Sequence, residues 1–531
     1  MNRQQQLTAL KEQHFDILVI GGGATGTGIA LDAATRGLKV ALVERDDFSA
    51  ATSSRSTKLI HGGVRYLEQA VWRLDRGQFN LVRDALKERA ILLNIAPHLA
   101  KPLALLTPLY KWWQVPYYRI GLIMYDALAG KANLKASRFI RAKEALERFP
   151  MLKKEGFYGG VVYYDGQFDD ARMNVSLALT AVSEGACVAN HVEVTALLKE
   201  QGRLTGARVI DRLTGEAWEI QAKVIINATG PFSDAIRHLD EPEAKNMLSA
   251  SSGIHIVLDR SFSPPETGLL IPETEDGRVL FLLPWLGHTI VGTTDNPATI
   301  EAHPKADEAD IDYVLRHVRK YFAVPVNHQD IKATFSGLRP LVSDPKAHDT
   351  AKLSRDHVIN VSTSGLLTIA GGKWTTYRKM ALDAVNEAIR LGSLSPKGPS
   401  KTEQLKLIGA KHFDSAALNK LIEECALAED IALHLHQAYG DQAARVLTYG
   451  EAKRLHPDHP YLEAEVSYAA LHESACDVID VLARRMRLGF VDEKATLAVI
   501  PKVAELLTKA LHWTEAFKLE QVRSAKRYFA H

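Results

Sequence analysis

The stretch Phe15-Asp16-Ile17-Leu18-Val19-Ile20-Gly21-Gly22-Gly23-Ala24-Thr25-Gly26 decides how this chain is read. An apolar run of strand character ends in a glycine turn, with Gly21, Gly23 and Gly26 at the positions of a GxGxxG pattern. A second apolar run, Lys39-Val40-Ala41-Leu42-Val43, ends at Glu44. Strand, glycine turn, helix, strand and acid in that order set a pyrophosphate over a helix N-terminus and a carboxylate beside a ribose. A glycine turn alone says little, because tight turns in any α/β core use glycine. Here the flanking elements and Glu44 agree with it, and the pattern predicts a dinucleotide site for FAD or NAD.

The 531 residues can bury a large core and predict two or more domains. Hydrophobic residues make up 46% and charged residues 24%, the balance of a globular protein. A formal net charge of +2 gives no argument for nucleic-acid binding. Cys187, Cys425 and Cys476 lie far apart without a CxxC pair, which speaks against a disulfide framework or zinc site and fits a reducing compartment. Met1 to His14 is polar and has no signal-peptide core. No run of about 18 apolar residues occurs, so the chain is expected to be soluble or to lie on a membrane surface. No calcium loop of EF-hand type is visible in the tail.

Phe79 to Asn94 has helical apolar spacing, and Asp169-Asp170-Ala171-Arg172 carries a helix N-cap pattern. Lys223 to Asn227 reads as a strand ending at Ala228-Thr229-Gly230. His255 to Thr294 alternates like antiparallel sheet, with turns at Asp276-Gly277 and Leu286-Gly287. Leu366 to Ala370 is a strand that meets Gly371-Gly372 and opens a helix. After a Ser- and Pro-containing linker, Ser393 to Thr402, the pattern turns helical, as in Leu418, Leu421, Ile422 and Cys425 and again in Val478, Ile479 and Leu482.

An NAD domain completes its site in one contiguous unit. Here glycine-terminated strands return in the middle of the chain and near residue 370, where a helix N-terminus can stabilise the electron-rich end of a reduced flavin. FAD is therefore favoured. Between Thr52 and Tyr66 lies TSSRSTKLIHGGVRY, whose small hydroxyls suit pyrophosphate and ribitol oxygens. Its Gly62-Gly63 lets backbone approach a flat ring. His61, Arg65 and Tyr66 would project above that ring, although any one of them alone reads as part of a solvated loop.

ATSSRSTKLIHGGVRYLEQ, with IGGGATGTGIALDAATRG before it, resembles the FAD-dependent glycerol-3-phosphate dehydrogenase family. So do Phe168-Asp169-Asp170-Ala171-Arg172, Asn227-Ala228-Thr229-Gly230-Pro231, Gly292-Thr293-Thr294-Asp295, Ser336-Gly337-Leu338-Arg339-Pro340 and the stretch Gly371 to Arg378, all in the family's order. The resemblance runs from about Phe15 to Arg378, and the tail resembles the family's C-terminal cap more loosely. It implies an α/β fold: a glutathione-reductase-type FAD-binding domain (1–95, 166–250 and 336–395) interleaved with an antiparallel-sheet substrate domain (96–165 and 251–335), plus an all-α C-terminal domain (400–531). It implies non-covalent FAD held by Gly21, Gly23, Gly26, Glu44, Thr52, Ser53, Ser54, Lys58, Leu59, His61, Gly62, Gly63, Val194, Ala228, Gly230, Asp295, Gly337, Leu338, Gly372, Lys373, Trp374 and Thr375. It also implies oxidation of sn-glycerol 3-phosphate to dihydroxyacetone phosphate, with electrons passed to a membrane quinone.

Such a substrate needs cations that hold a phosphate bidentately, which suits arginine. Arg65, Arg339 and Arg355 are the candidates, with Tyr66 beside them. Removal of the C2 hydroxyl proton suits a histidine; His255 is preferred, with His61 as the alternative. Lys373 is placed to stabilise negative charge on substrate oxygen or reduced flavin. The aromatic and basic residues between Leu103 and Tyr125 (Tyr110, Lys111, Trp112, Trp113, Tyr117, Tyr118, Arg119, Tyr125) suit a membrane surface or quinone groove, as does the basic run Arg523 to Phe529 in electrostatic contact with anionic lipid. The expected place is peripheral, on the cytoplasmic side of the inner membrane. Oligomeric state stays open, with a homodimer among the states allowed. Three rivals remain: an oxygen-using glycerol-3-phosphate oxidase, an amine or amino-acid oxidase of the same fold, and a non-catalytic flavoprotein adaptor. No long extra insertion of the oxidase kind is seen.

Overall fold

The computed structural model describes residues 2–62, 76–342 and 357–530. Strand His14–Ile20 forms the centre of one sheet and pairs in parallel with Val40–Val43 and Ala217–Asn227. Cys187–Ala189 and Leu366–Gly371 extend it in parallel, and His357–Val361 closes one edge antiparallel. Side chains alternate across it: Ile17 and Val19 pack toward the helices, Leu18 and Ile20 toward the other face. Helices Ala24–Thr35, Asp170–Ser183 and Tyr377–Gly392 cover the first face. Strands Val192–Glu200 and Arg203–Asp211 and helix Arg3–Glu12 cover the second. This is the arrangement expected of a doubly covered parallel sheet.

A second sheet holds the pieces between. It is antiparallel except where Ala100–Leu109 runs parallel to Thr267–Ile271. Its longest pairing joins Leu248–Asp259 to Ile331–Val342. The expected domain boundaries at 250/251 and 335/336 fall inside these two paired strands, because a ladder holds each strand to one sheet along its length. Helix Glu308–Tyr321 packs Ile311, Val314, Leu315 and Val318 on one face. The opposite face is shared by helices Arg76–Ile95 and Gln114–Ala129 and by the C-terminal helices.

The C-terminal residues are helical, including Ala417–Glu424, Glu429–Tyr439, Glu463–His472, Glu493–Leu511 and Glu515–Phe529. Val478 and Ile479 lead into a π-helical turn, Asp480–Arg485, where an α-helical continuation was expected. Trp285 and Phe335 of the second sheet share a core with Leu482, Phe490 and Phe529, so this domain is no detached appendage.

Buried ion pairs fix it to the first domain. Asp47 accepts from Arg484 Nε at 2.6 Å and from Arg485 at 2.7 and 3.0 Å. Asp170 accepts from Lys58 Nζ at 2.8 Å and Arg487 at 3.1 Å. Glu473 holds Arg172 bidentately at 2.6 and 2.9 Å. Charges buried this deeply must be paired, so the Arg-Arg-Met-Arg run fixes how the two units meet. His191, Cys476 and Asp480 offer ligand-type atoms within 4.8 Å of one another. Arg484 donates to Asp480 at 2.5 Å and supplies there the positive charge that a metal ion would bring.

Candidate active site

A cavity of about 520 Å³ opens at the C-terminal ends of the parallel strands, where ligands of open α/β sheets bind. Distant pieces of chain line it: Gly21, Gly23, Ala24 and Thr25; Glu44 to Asp46; Ser49 to Ser53; Val192 to Thr195; Ala228 to Phe232; and Ile369 to Trp374. Gly21 has φ +109°, and a Cβ there would lie 2.7 Å from the Ala228 carbonyl oxygen. Only glycine permits that approach. Gly23 is the N-cap of helix Ala24–Thr35, and Gly23, Ala24 and Thr25 all line the cavity, so the helix end faces it.

The wall is cross-linked by short bonds. Ser53 Oγ accepts from Ala24 N at 3.0 Å, and Ser53 O accepts from Trp374 Nε1 at 2.9 Å. Glu44 accepts from Gly22 N at 2.6 Å and Asp46 N at 2.8 Å. Burial, reinforced by the Asp46 charge, raises its carboxyl to about 7. Ser49 sits at φ +67°, and its buried hydroxyl has no partner among the described residues. Such an orphaned polar atom in a cavity wall asks for a ligand oxygen or nitrogen. A helix N-terminus, small hydroxyls, glycine backbone and an enclosed volume of this size fit a dinucleotide.

Of the residues to which the sequence assigned the cofactor, Gly21, Gly23, Glu44, Thr52, Ser53, Val194, Ala228, Gly230, Gly372, Lys373 and Trp374 line this cavity. The others take different places. Gly26 packs on the Gly21 carbonyl. Lys58 is wholly buried on Asp170 and turned away from the cavity, among Trp285, Phe335 and Phe490. Burial is the largest influence on its ammonium, which is lowered to about 8 although Asp170 opposes the shift. Ser54 O accepts from Lys58 and Arg487. Leu59 pairs with Gln167 in the second sheet. Thr375 donates to His61 O at 3.5 Å, Gly62 lies on Tyr125, Gly337 lies on Arg55, and Leu338 O accepts from Thr52. Gly63, Arg65, Tyr66 and Arg355 lie outside the described residues.

His255 and Arg339 come together beside the cavity. Thr52, in its wall, bonds Leu338 O at 2.6 Å, and Pro340 lines it directly. Arg339 reaches Asp295 at 3.1 Å, Thr293 Oγ1 at 3.1 Å and Thr294 O at 3.0 Å. Asp295 therefore sits with the arginines, Arg278 as well as Arg339, and not in the cavity wall. His255 is buried, stacks on Phe335 at 4.7 Å and shares a 3.0 Å bond between Nε2 and Thr57 Oγ1. Its Nδ1 has no partner among the described residues. Burial, then the charges of Lys58 and Arg339, hold it well below the usual imidazole range, so the ring is neutral at pH 7.

Sequence reasoning passed over Ser49, Arg45, His303 and the buried Arg484, Arg485 and Arg487. Ser49 lies three residues before the Thr52 to Tyr66 stretch. His303 lines the cavity from the second sheet's side, and burial lowers it to about 4. The three C-terminal arginines gave no warning, since a basic run reads as a solvated face.

Residues 16–378 match the FAD dependent oxidoreductase family, and residues 400–518 match the C-terminal domain of alpha-glycerophosphate oxidase. The chain is 49% identical to the mitochondrial glycerol-3-phosphate dehydrogenase of Macaca fascicularis, over 99% of this chain and 75% of that protein. It is 48% identical to the Homo sapiens protein of the same description, with the same coverage. The solved glycerol-3-phosphate dehydrogenase of Bacillus halodurans, complexed with FAD, superposes with a TM-score of 0.81 at 30% identity, covering 99% of this chain and 97% of that one.

Proposed function

Because the chain belongs to the FAD-dependent glycerol-3-phosphate dehydrogenase family, we propose that it oxidises sn-glycerol 3-phosphate to dihydroxyacetone phosphate and hands the electrons to a membrane quinone. The observation that carries the reading is a dinucleotide-shaped cavity at the C-terminal ends of the parallel strands, with Pro340 in its wall next to the Arg339 guanidinium of the adjoining sheet. Bound FAD supplies the acceptor for the hydride that leaves C2 of the substrate. Gly21, Gly23, Glu44, Ser49, Thr52, Ser53, Ala228, Gly230, Gly372 and Trp374 hold the cofactor in this proposal.

Arg339, whose guanidinium is held by Asp295, Thr293 and Thr294, supplies a planar cation of the kind that suits a phosphate dianion; Arg65, Tyr66 and Arg355, which lie outside the described residues, are assigned the same role by the family resemblance. Lys373, in the cavity wall, stabilises negative charge on the substrate oxygen. His255 takes the C2 hydroxyl proton on Nδ1, with its other proton on Nε2 toward Thr57 Oγ1. It is preferred to His61 because that Nδ1 has no partner among the described residues, although its burial and lowered basicity require the bound substrate to reach it.

The membrane reading rests on helix Gln114–Ala129 and the turn before it. Trp112 is 70% exposed, Trp113 47%, Ile120 61% and Ile123 55%, an apolar surface of the kind that lies in a lipid interface. No helix among the described residues is long and apolar enough to cross a membrane. The proposed location is peripheral, on the cytoplasmic side of the inner membrane. The C-terminal basic run contributes less to this reading. Phe529 is buried and Tyr528 packs on His303, which leaves Arg523 and Arg527 outward. Replacing Trp112, Ile120 and Ile123 by serine is expected to abolish sedimentation with anionic phospholipid vesicles; unchanged sedimentation would refute this surface.

The test of the function is an anaerobic absorbance spectrum of the purified holoenzyme. Glycerol 3-phosphate should bleach the flavin band, and a quinone analogue should restore it. A flavin indifferent to this ester but bleached by glycine or a D-amino acid would place the chain with the amine oxidases. Stoichiometric peroxide in air would place it with the oxidases.

A further inference from the structure

Helix Gln114–Ala129 carries its exposed isoleucines on one side and buries Leu122, Tyr125 and Ala129 on the other. Tyr125 does more than fill space. Its hydroxyl accepts from the backbone N–H of Gly62 at 3.0 Å and donates to Asp165 Oδ1 at 2.9 Å. Arg89 fixes that carboxylate at 2.6 Å and is itself held by the carbonyls of Tyr164 at 3.1 Å and Ala132 at 3.2 Å. Tyr125, Asp165 and Arg89 are all buried.

Gly62 is one end of the His61–Gly62 peptide unit. Its other end, the His61 carbonyl, accepts from Thr375 Oγ1 at 3.5 Å, the outer limit of a hydrogen bond. Thr375 follows Lys373 and Trp374, which line the cavity. One peptide plane is thus held from two directions, by the cavity's late glycine turn and by a surface helix. Gly62 can take no side chain, since a Cβ would lie 2.5 Å from Leu86 Cδ2 and 2.6 Å from Tyr125 Oη. Burial and the Asp165 charge push the Tyr125 phenol well above its ordinary range, so it stays a donor toward Asp165 at any working pH. Its one remaining role toward Gly62 is as acceptor.

We propose that Tyr125 is a positioning residue for catalysis: with Asp165 and Arg89 behind it, it sets the His61–Gly62 peptide against the cavity wall. Resting on the reading of that loop as the flavin-side wall of the site, the inference gives this wall a support that no GxGxxG or HGG pattern contains. Tyr125 touches neither substrate nor cofactor; it acts through the plane of one peptide.

Tyr125→Phe keeps the ring and removes the oxygen, leaving a buried N–H without an acceptor. A roughly tenfold fall in kcat/KM is expected with a soluble dye as electron acceptor, the order of effect of one orphaned buried donor. A shifted flavin absorbance maximum should accompany it, because the wall beside the ring moves. Leu122→Ala, on the same buried face, should lower the unfolding temperature while leaving the spectrum and kcat/KM as in the wild type. Hydrogen exchange on the wild-type holoenzyme tests the bond without any variant, and the Gly62 amide should exchange slowly. A Tyr125→Phe protein with unchanged spectrum and kcat/KM, a Leu122→Ala protein that reproduces its defects, or a fast-exchanging Gly62 would each overturn the proposal. Absence of bleaching by glycerol 3-phosphate in the wild type would strike the proposed function instead, and the exchange result would stand apart from it.

Discussion

Asp47→Asn tests whether the C-terminal domain holds the cofactor cavity in shape. Asp47 is fully buried and accepts from Arg484 Nε, from both Nη atoms of Arg485 and from Asn190 Nδ2 at 2.9 Å. Asparagine has nearly the same shape, so packing is kept while the charge and half of the acceptor capacity go. Arg484 keeps Asp480. Arg485 keeps the Glu473 carbonyl at 2.8 Å and the Glu473 carboxylate at 3.8 Å, which leaves its charge poorly compensated. Breaking one side of a buried ion pair costs about 3–5 kcal/mol. Asp47 stands between Asp46 and Ser49, both in the cavity wall, so that cost falls on the loop that shapes the site.

A loss of about 3 kcal/mol there shifts the equilibrium between the cavity-competent and displaced loop roughly a hundredfold, and the apparent Kd for FAD rises as the competent fraction falls, by up to the same factor. A chain of several domains need not unfold in two states, so the assay is local. Apoprotein is titrated with FAD by quenching of flavin fluorescence, and the temperature of flavin release is recorded. Arg390→Ala, which removes an exposed pair with Glu387, should leave both readings unchanged. An Asp47→Asn protein that binds FAD within threefold of wild type and releases it at the same temperature would refute the reasoning.

Arg339→Lys should raise KM for glycerol 3-phosphate about tenfold with a smaller change in kcat, because one ammonium cannot replace a planar fork; an unchanged KM would remove Arg339 from the phosphate site. Gly26→Ala should yield colourless or insoluble protein, since a Cβ there overlaps the Gly21 carbonyl oxygen, and a yellow soluble variant would contradict the turn geometry. Burial alone would lower His191, but the Asp480 carboxylate outweighs it and raises the imidazole to about 9. A raised imidazole stabilises the fold fully below its unfolded value of about 6.5. The gap in unfolding temperature between wild type and His191→Gln should therefore narrow as pH rises from about 6.5 to 9, and a gap that widens would reverse the assignment.

Local chemistry made much of the molecule legible before any coordinates. Phe15 to Gly26 with Glu44 dictates a strand, a turn that only glycine can make and a helix end that attracts anions, all within one short stretch of chain. The late Gly371-Gly372 turn and the helical tail were readable for the same reason, since turn chemistry and apolar period are local properties. What the chain could not disclose by itself depends on which distant groups meet. Lys58 looked like a cofactor ligand and is buried on Asp170. Asp295 looked the same and pairs with Arg339. Arg484, Arg485 and Arg487 drew no reading from the sequence and are buried against Asp47 and Asp170. A charge in sequence carries no information about its solvent; burial and partner are set when separate elements pack, and in this protein that packing decided which polar residues face the cavity and which hold it together.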